Sequence, residues 1–281
     1  MSVIKKLMLF YTRAKFAILS TISKRLAASK ALKLFLTPQI RNRKPLPPAF
    51  LNAEQLDFDL GGIRLKGYRW NKESDKKIQI LHGFESSVVN FDHFINPLLD
   101  KGYQILAFDA PAHGRSEGKM IDALQFRDMI ISINKAFGPI HSYIAHSFGG
   151  LALCLAMEKI NHNENDKLVI IAPATETKRA MQNFSQYIGL NNKVQQLFEE
   201  QIFLKGGNKP EWYSVRRASA NIKAQVLFLQ DKIDALTPYD DVLPVINAHY
   251  PNFKFIISEG LGHRRIYKED QSIKAIMEFL D

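Results

Sequence analysis

Ser147 stands in the stretch "YIAHSFGG", between a run that reads as a strand, "HSYIAHS", and a run that reads as a helix, "LALCLAMEKI". A serine at such a strand-to-helix turn is held in a strained backbone conformation with its hydroxyl lifted clear of the sheet. The usual signature is G-x-S-x-G, because strand and helix backbones crowd together there and the flanking side chains must be small. Gly149 meets the second requirement, and Ala145 meets the first with a methyl, the smallest addition. A nucleophilic serine needs a base, and the base needs an acid to orient it. "LFLQDKIDALTP" offers Asp231 and Asp234 after one later strand, and "FIISEGLGHRRIY" offers His263 after the last. The order serine, aspartate, histidine, each just past a strand on one sheet edge, is far more specific than the serine motif alone. The oxyanion must be held as well. In "ILHGFESS" the His82-Gly83 turn aims the Phe84 N–H at the site, and the Phe148 N–H, next after the serine, is the second donor.

The elements that position these residues follow from hydrophobic patterning. "AEQLDFDL" and "IRLKGYRW" flank Gly61-Gly62 and read as a β-hairpin. After it, the short apolar runs "KIQILHG", "YQILAFDA", "HSYIAHS", "KLVIIAPA", "QVLFLQD" and "FKFIISE" alternate with helical stretches at about 91–100, 120–137, 148–160, 238–249 and 269–281. Such alternation implies an α/β fold, a mainly parallel sheet covered by helices on both faces, with ligands at the C-terminal strand ends. Residues from about 176 to 219 break the pattern. They carry helical periodicity and no strand, and inserted between two core strands they are expected to form a cap over the strand ends.

Taken together, "LHGFE", "FDAPAHGRS", "AHSFGG", the D-x-x-D…P pattern of "DKIDALTP" and "GLGHRR" resemble the α/β-hydrolase superfamily. More narrowly, they resemble a bacterial subgroup of general α/β-hydrolase-fold proteins whose substrates are mostly unassigned, a subgroup that also tends to start with a basic "LFLTP"-like segment, here Leu34 to Pro38. The resemblance covers nearly the whole chain and is weakest in the cap. It implies Ser147 as nucleophile, His263 as base and Asp234 as acid. The spacing of Ala235-Leu236-Thr237-Pro238 after Asp234 is typical of the superfamily's acid loop, which leaves Asp231 to brace that loop or to stand in as the acid. The expected activity is that of a serine hydrolase cleaving a carboxylic ester through an acyl-enzyme on Ser147. Thioester, amide or carbon–carbon hydrolysis, acyl transfer, and a small-molecule receptor with low turnover are the alternatives on the same site.

The remaining polar residues have plainer readings. "DAPAHGRSEG", with Asp109, His113 and Ser116, reads as a Gly/Pro-rich turn shaping the pocket floor. His82 is expected to hold the oxyanion turn by hydrogen bonds. Glu85 is read as either a pocket residue or a helix N-terminal charge, and His146 has no assigned role. Phe184, Tyr187, Phe198, Phe203, Trp212 and Tyr213 in the cap suggest core packing one by one and an apolar cavity collectively. No metal-ligand spacing, P-loop or dinucleotide fingerprint occurs, so no cofactor or metal is expected.

A chain of 281 residues, 46% of them hydrophobic, can bury one large core. The single cysteine, Cys154, excludes an internal disulfide and suits a reducing, cytoplasmic setting. The net charge of +10 is uneven: no acidic residue precedes Glu54, and that segment holds eleven of the 38 Lys and Arg. The other 27 nearly balance the 28 acidic residues, so the body has no bulk-charge reason to bind nucleic acid. The domain reading is a basic helical arm over residues 1–49 and a hydrolase domain over 50–281. The arm is too short in apolar runs for a membrane span or a signal peptide. Along it, Val3, Leu7, Tyr11, Ala14, Ile18 and Ile22 make one helical stripe, with Lys5, Lys6, Arg13 and Lys24 roughly opposite. Three readings are open: the stripe packs on the body or cap, it rests on anionic lipid, or it binds a partner. An apolar acyl substrate is the expected ligand, and the sequence is silent on oligomeric state.

Overall fold

A computed structural model describes residues 3–281, with side chains from residue 6 onward, so Val3 and Lys5 of the expected stripe and its opposite face lie outside the described side chains. The chain forms two compact units, one of residues 1–37 with Glu176–Ser214 and one of Pro38–Thr175 with Val215–Asp281.

The larger unit is the α/β fold. It starts with α3 (Pro48–Leu51), the hairpin β1 (Glu54–Leu60) and β2 (Ile63–Trp70), and β3 (Lys77–Leu81). Gly61 and Gly62 both adopt positive φ, which the two-residue turn requires. A 3₁₀ segment (Val88–Phe94) runs into α4 (Ile95–Asp100), then β4 (Gln104–Phe108), α5 (Ala123–Phe137), β5 (Ser142–His146), α6 (Phe148–Met157) and β6 (Lys167–Ile171). After the insertion come α9 (Val215–Ser219), β7 (Gln225–Asp231), α10 (Tyr239–Ile246), β8 (Phe253–Ser258), α11 (Gly262–Arg265) and α12 (Asp270–Phe279). The eight strands form one sheet in the order β1-β2-β4-β3-β5-β6-β7-β8. β1 and β2 pair antiparallel, as do β2 and β4, and every other pairing is parallel. The central strands are apolar along their length because both faces are covered, and every side chain of β4 and β5 is buried. Phe91, Phe94, Tyr103, Ile144 and Val169 belong to one continuous core.

The segment just before α3 belongs to this unit rather than to the arm, which moves the boundary from residue 49 to residue 37. Its anchors are specific. The Gln39 N–H donates to Glu85 Oε1 at 2.7 Å, Arg41 donates to the Ser116 carbonyl at 3.2 Å, and Arg43 to the Gly114 carbonyl at 3.2 Å. Phe50 is buried edge-on against Tyr68 and Trp70. The insertion is shorter than the expected 176–219 for a similar reason. α9 packs on α6 and α10, and Arg217 makes a two-pronged pair with Glu158 at 2.6 and 2.8 Å.

The smaller unit is helical: α1 (Val3–Ile22), α2 (Lys24–Leu36), α7 (Thr177–Ile188), α8 (Asn192–Gly206) and a 3₁₀ turn (Pro210–Trp212). α2 packs closely on α8 through Ala27, Ala28 and Ala31, whose small side chains let the helices approach. Phe35, Phe184 and Phe198 form an aromatic cluster inside it. Of the six aromatics in the insertion, Phe198 and Tyr213 are buried, whereas Tyr187 and Phe203 are exposed. α1 packs on α2 and α7 through Phe16, and Arg13 Nε donates to the Tyr187 carbonyl at 2.9 Å. Of the three readings of the stripe, the packing one does not hold: Leu7, Tyr11, Ile18 and Ile22 are all exposed, and Phe16, on the opposite side of the helix, is the residue that faces inward.

Candidate active site

Ser147 lies between β5 and α6 with φ 55° and ψ −119°, a conformation costly for any residue with a Cβ. The surroundings over-determine it. Its N–H donates to the Ile171 carbonyl at 3.0 Å, and its carbonyl accepts from Gly150 and Ala174, each at 3.0 Å. Tight packing explains the glycines nearby. A methyl on Gly149 would come within 2.6 Å of the His82 carbonyl oxygen, and one on Gly83 within 2.9 Å of the Ser147 Cβ. Ala145 sits in the strand proper, buried in register with Leu81 and Ile170, where a methyl fits.

The loops after β7 and β8 bring Asp234 and His263 to this serine. His263 Nε2 lies 3.0 Å from Ser147 Oγ, and His263 Nδ1 lies 2.7 Å from Asp234 Oδ2. The Asp234 side chain is fully buried and His263 nearly so. Asp234 Oδ1 accepts the Leu236 N–H at 2.8 Å and the Thr237 N–H at 3.0 Å, and Thr237 Oγ1 donates to Oδ2 at 2.7 Å. Burial by itself lifts this carboxyl, but the hydrogen bonds from His263 and Thr237 outweigh it and hold it below the usual carboxylate range. Asp231 is engaged elsewhere. Its Oδ2 accepts from Ser258 Oγ at 2.7 Å and from the Leu261 N–H at 2.9 Å, tying the acid loop to the loop that carries His263. Burial works against its charge, and those same hydrogen bonds overcome it, so its carboxyl also stays low.

The turn after β3 faces the serine from the other side. Neither the Phe84 nor the Phe148 N–H donates to a protein acceptor among the described residues. Phe148 is the first residue of α6, so its N–H adds the positive end of that helix to any oxyanion there. Two buried histidines brace the turn. His82 Nε2 accepts the Ala110 N–H at 3.0 Å and its Nδ1 donates to the Gly83 carbonyl at 2.8 Å. His113 Nε2 accepts the Glu85 N–H at 3.0 Å and its Nδ1 donates to the Pro111 carbonyl at 2.9 Å. Both rings are therefore neutral, and burial pushes His82 down to about 4 and His113, beside it, to about 3. Asp109 is buried beneath them and holds the Val88 and Arg115 N–H groups at 3.0 and 2.9 Å. Burial raises its carboxyl. Glu85 spends its carboxylate on Gln39.

Three contacts had no signal, or only a weak one, in the sequence. His146 Nε2 donates to the His263 carbonyl at 3.0 Å, and its ring packs against His263 and Tyr267. Burial and the adjacent His263 push it down to about 3. Ser258, at the end of β8, pairs with Asp231, and Thr237 supports Asp234. Of the three, only Thr237 was legible, since a D-x-x-T stretch favours an Asx turn of the kind Asp234 makes. Cys154 is buried in α6 and its thiol is pushed up to about 12 by desolvation, which makes it a packing residue. Among the described residues there is no group of His, Cys, Asp and Glu able to hold a metal ion.

Comparison with known proteins agrees with this architecture. A Dictyostelium discoideum serine hydrolase-like protein is 30% identical over 182 residues, which is 57% of this chain and 49% of that protein, so the chain spans about half the length of this relative. A Mycoplasma pneumoniae protein named as an esterase/lipase is 24% identical over 237 residues, 72% of this chain and 87% of its own. The structure of a Pyrococcus furiosus esterase superposes with a TM-score of 0.63 at 19% identity, covering 87% of this chain and 97% of that one, and so shares the fold. The family model described as serine aminopeptidase, S33, matches residues 72–242, which include Ser147 and Asp234 and stop short of His263. That match spans more than half of the chain, and the chain therefore belongs to the S33 serine aminopeptidase-like family of the α/β-hydrolase fold.

Proposed function

We propose that this protein is a serine hydrolase that cleaves a carboxylic ester through an acyl-enzyme on Ser147. The observation that carries the reading is the continuous hydrogen-bond chain from Ser147 Oγ through His263 to Asp234, facing two N–H groups with no protein acceptor. Ser147 Oγ attacks the ester carbonyl carbon while His263 Nε2 takes its proton. Asp234 keeps the remaining ring proton on Nδ1 and stabilises the imidazolium. The carbonyl electron pair moves to oxygen, where the Phe84 and Phe148 N–H groups receive it. When the tetrahedral intermediate collapses, the C–O bond breaks and His263 returns the proton to the leaving alcohol. Water, activated by the same histidine, then attacks the acyl-enzyme and releases the acid.

Esterase naming among the relatives supports the ester class, and the family description makes peptide amides the second class to assay. An apolar acyl group is the preferred substrate in this reading. A fluorophosphonate probe should label the wild type and fail to label Ser147→Ala. Folded wild type that resists labelling, or a variant that still labels, would remove Ser147 as the nucleophile. Turnover across p-nitrophenyl esters of increasing acyl length, beside aminoacyl p-nitroanilides, then separates the classes. Faster turnover of the anilides would replace the ester reading with an amidase.

A further inference from the structure

α1 has two faces, and only one of them is used inside the protein. At 100° per residue, Phe10, Ala14, Leu7, Ile18, Tyr11 and Ile22 fall in one arc of about 120°. All six are exposed, Leu7 and Ile22 to 70% and Phe10 to 75%. Thr21 is the one polar residue inside the arc, and its hydroxyl donates back to the Ile18 carbonyl at 2.7 Å, which spares it a demand for water. Exposed apolar residues in such a row are not the scatter found on ordinary surfaces, and they mark a contact with something outside the chain. The borders of the arc are basic. Lys15 lies at one edge and Lys6 beyond the other, both exposed and neither in an ion pair among the described residues. Lys24, Arg25, Lys30 and Lys33 follow on α2, likewise exposed, and no carboxylate side chain occurs anywhere before Glu54.

We propose that α1 is a membrane-surface helix, lying flat on an anionic bilayer with Leu7, Phe10, Tyr11, Ile18 and Ile22 in the headgroup–acyl boundary and Lys6 and Lys15 snorkelling to the lipid phosphates. Among the described residues no helix is long and apolar enough to cross a membrane, so α1 rests on the surface. The opposite face, with Phe16 buried and Arg13 fixed on the α7 carbonyls, keeps α1 attached to the protein while the exposed face is occupied. The charge pattern selects lipid over a second copy of the chain. A twofold pairing of α1 with itself would bring together two helices that carry basic side chains and no acid on either. An anionic surface instead adds attraction for every lysine. This inference is independent of the reaction at Ser147.

The test is flotation of the full chain with vesicles of phosphatidylcholine alone and of phosphatidylcholine with phosphatidylglycerol. Protein should rise with the anionic vesicles, stay behind with the neutral ones, and be released by high salt. The triple variant L7Q/Y11Q/I18Q alters only exposed positions and should lose at least tenfold in partition, with thermal melting unchanged. The variant K6E/K15E should lose roughly fivefold for each charge removed, and more for reversal. Ile40→Gln, at an exposed apolar residue outside α1, should float like the wild type. A probe independent of these variants uses the burial of Cys154, which leaves Leu7→Cys open to selective labelling with an environment-sensitive fluorophore. Its emission should rise on anionic vesicles alone. Wild-type partition retained by both multiple variants, or no flotation with either vesicle, overturns the proposal. So does a solution dimer that L7Q/Y11Q/I18Q converts to monomer without any vesicle binding.

Discussion

His263, in the short helix α11, and His113, on the turn after β4, lie in the same α/β unit, and only one of them has the partners that the proposed base needs. Each ring has both nitrogens engaged, so the number of hydrogen bonds does not separate them. Their partners do. His263 turns Nδ1 to the Asp234 carboxylate and Nε2 to a hydroxyl that can give up its proton. His113 turns Nδ1 to the Pro111 carbonyl and Nε2 to the Glu85 N–H, a donor that holds its proton at any working pH. A neutral carbonyl orients an imidazole but does little for an imidazolium, whereas a carboxylate does both. A backbone N–H occupies the lone pair that proton transfer would need. His82 repeats the arrangement of His113 with Gly83 and Ala110. In the proposed mechanism the turn after β3 and the segment that carries His263 use the same side chain for opposite purposes, one as a fixed brace and the other as a proton carrier.

Substitutions at the two sites should therefore fail differently. His263→Ala should lower kcat on a simple ester by about 10⁴-fold, since removal of a triad member leaves only binding and oxyanion stabilisation. Its melting temperature should barely move, and a large drop there would mean that the loop was being held by the ring. His113→Leu should act through the turn. The Glu85 N–H loses its acceptor, the adjacent Phe84 N–H loses its aim, and kcat should fall about a hundredfold, the lower end of what one oxyanion donor contributes. Here stability should fall too, because a buried donor is left without its partner. A variant with normal kcat would show that the brace does not reach the Phe84 amide.

How far the sequence foretold these sites depends on whether chain-local chemistry defined them. All eight strands were readable, because strands covered on both faces need nearly unbroken apolar runs and the edge hairpin needs its two glycines. The meeting of Ser147, Asp234 and His263 was readable because each follows a strand, and the topology puts those ends on one edge. The choice of Asp234 over Asp231 rested on a family resemblance, and the structure supplies its physical basis in the Asx turn with Thr237 and the engagement of Asp231 by Ser258 and Leu261. The role of His146 was not readable at all, since its partner is the backbone carbonyl of a residue 117 positions away. Which of the three readings of the α1 stripe holds was not decidable from the sequence for a related reason. Periodicity shows that a helix has an apolar stripe, but Phe16 on the other side competes for burial, and only the packing partners decide which side wins.

The buried, neutral histidines also tie stability to acid. His82 titrates at about 4 and His113 and His146 at about 3, against an ordinary 6.5, with burial the main cause in each case. The unfolded chain therefore takes up these protons first as the pH falls. Stability is complete above about 6.5 and is lost progressively down to about 4 for His82 and about 3 for His113 and His146, by at most about 1.4 kcal/mol per pH unit for each histidine. A thermal scan in steps from pH 7 to pH 4 should show this slope, and His113→Leu should reduce it by about one histidine's share. An unchanged slope in the variant would mean that His113 already carries its proton in the folded state, contrary to the neutral brace.

The smallest effect is expected at Ala145, where the elbow departs from G-x-S-x-G. Restoring the motif with Ala145→Gly removes one buried methyl from the strand and adds backbone freedom to the unfolded chain. Both changes disfavour folding, by about 0.5–1 kcal/mol for the backbone term. Nothing in the turn itself is relieved, because the residues pressed against neighbouring backbone are Gly83 and Gly149, and the strained φ belongs to Ser147. Urea denaturation should thus show a modestly less stable protein whose kcat matches the wild type. A faster or more stable glycine variant would mean that the alanine methyl does strain the elbow, and that the serine's geometry is set at position 145 as well as by the turn that follows it.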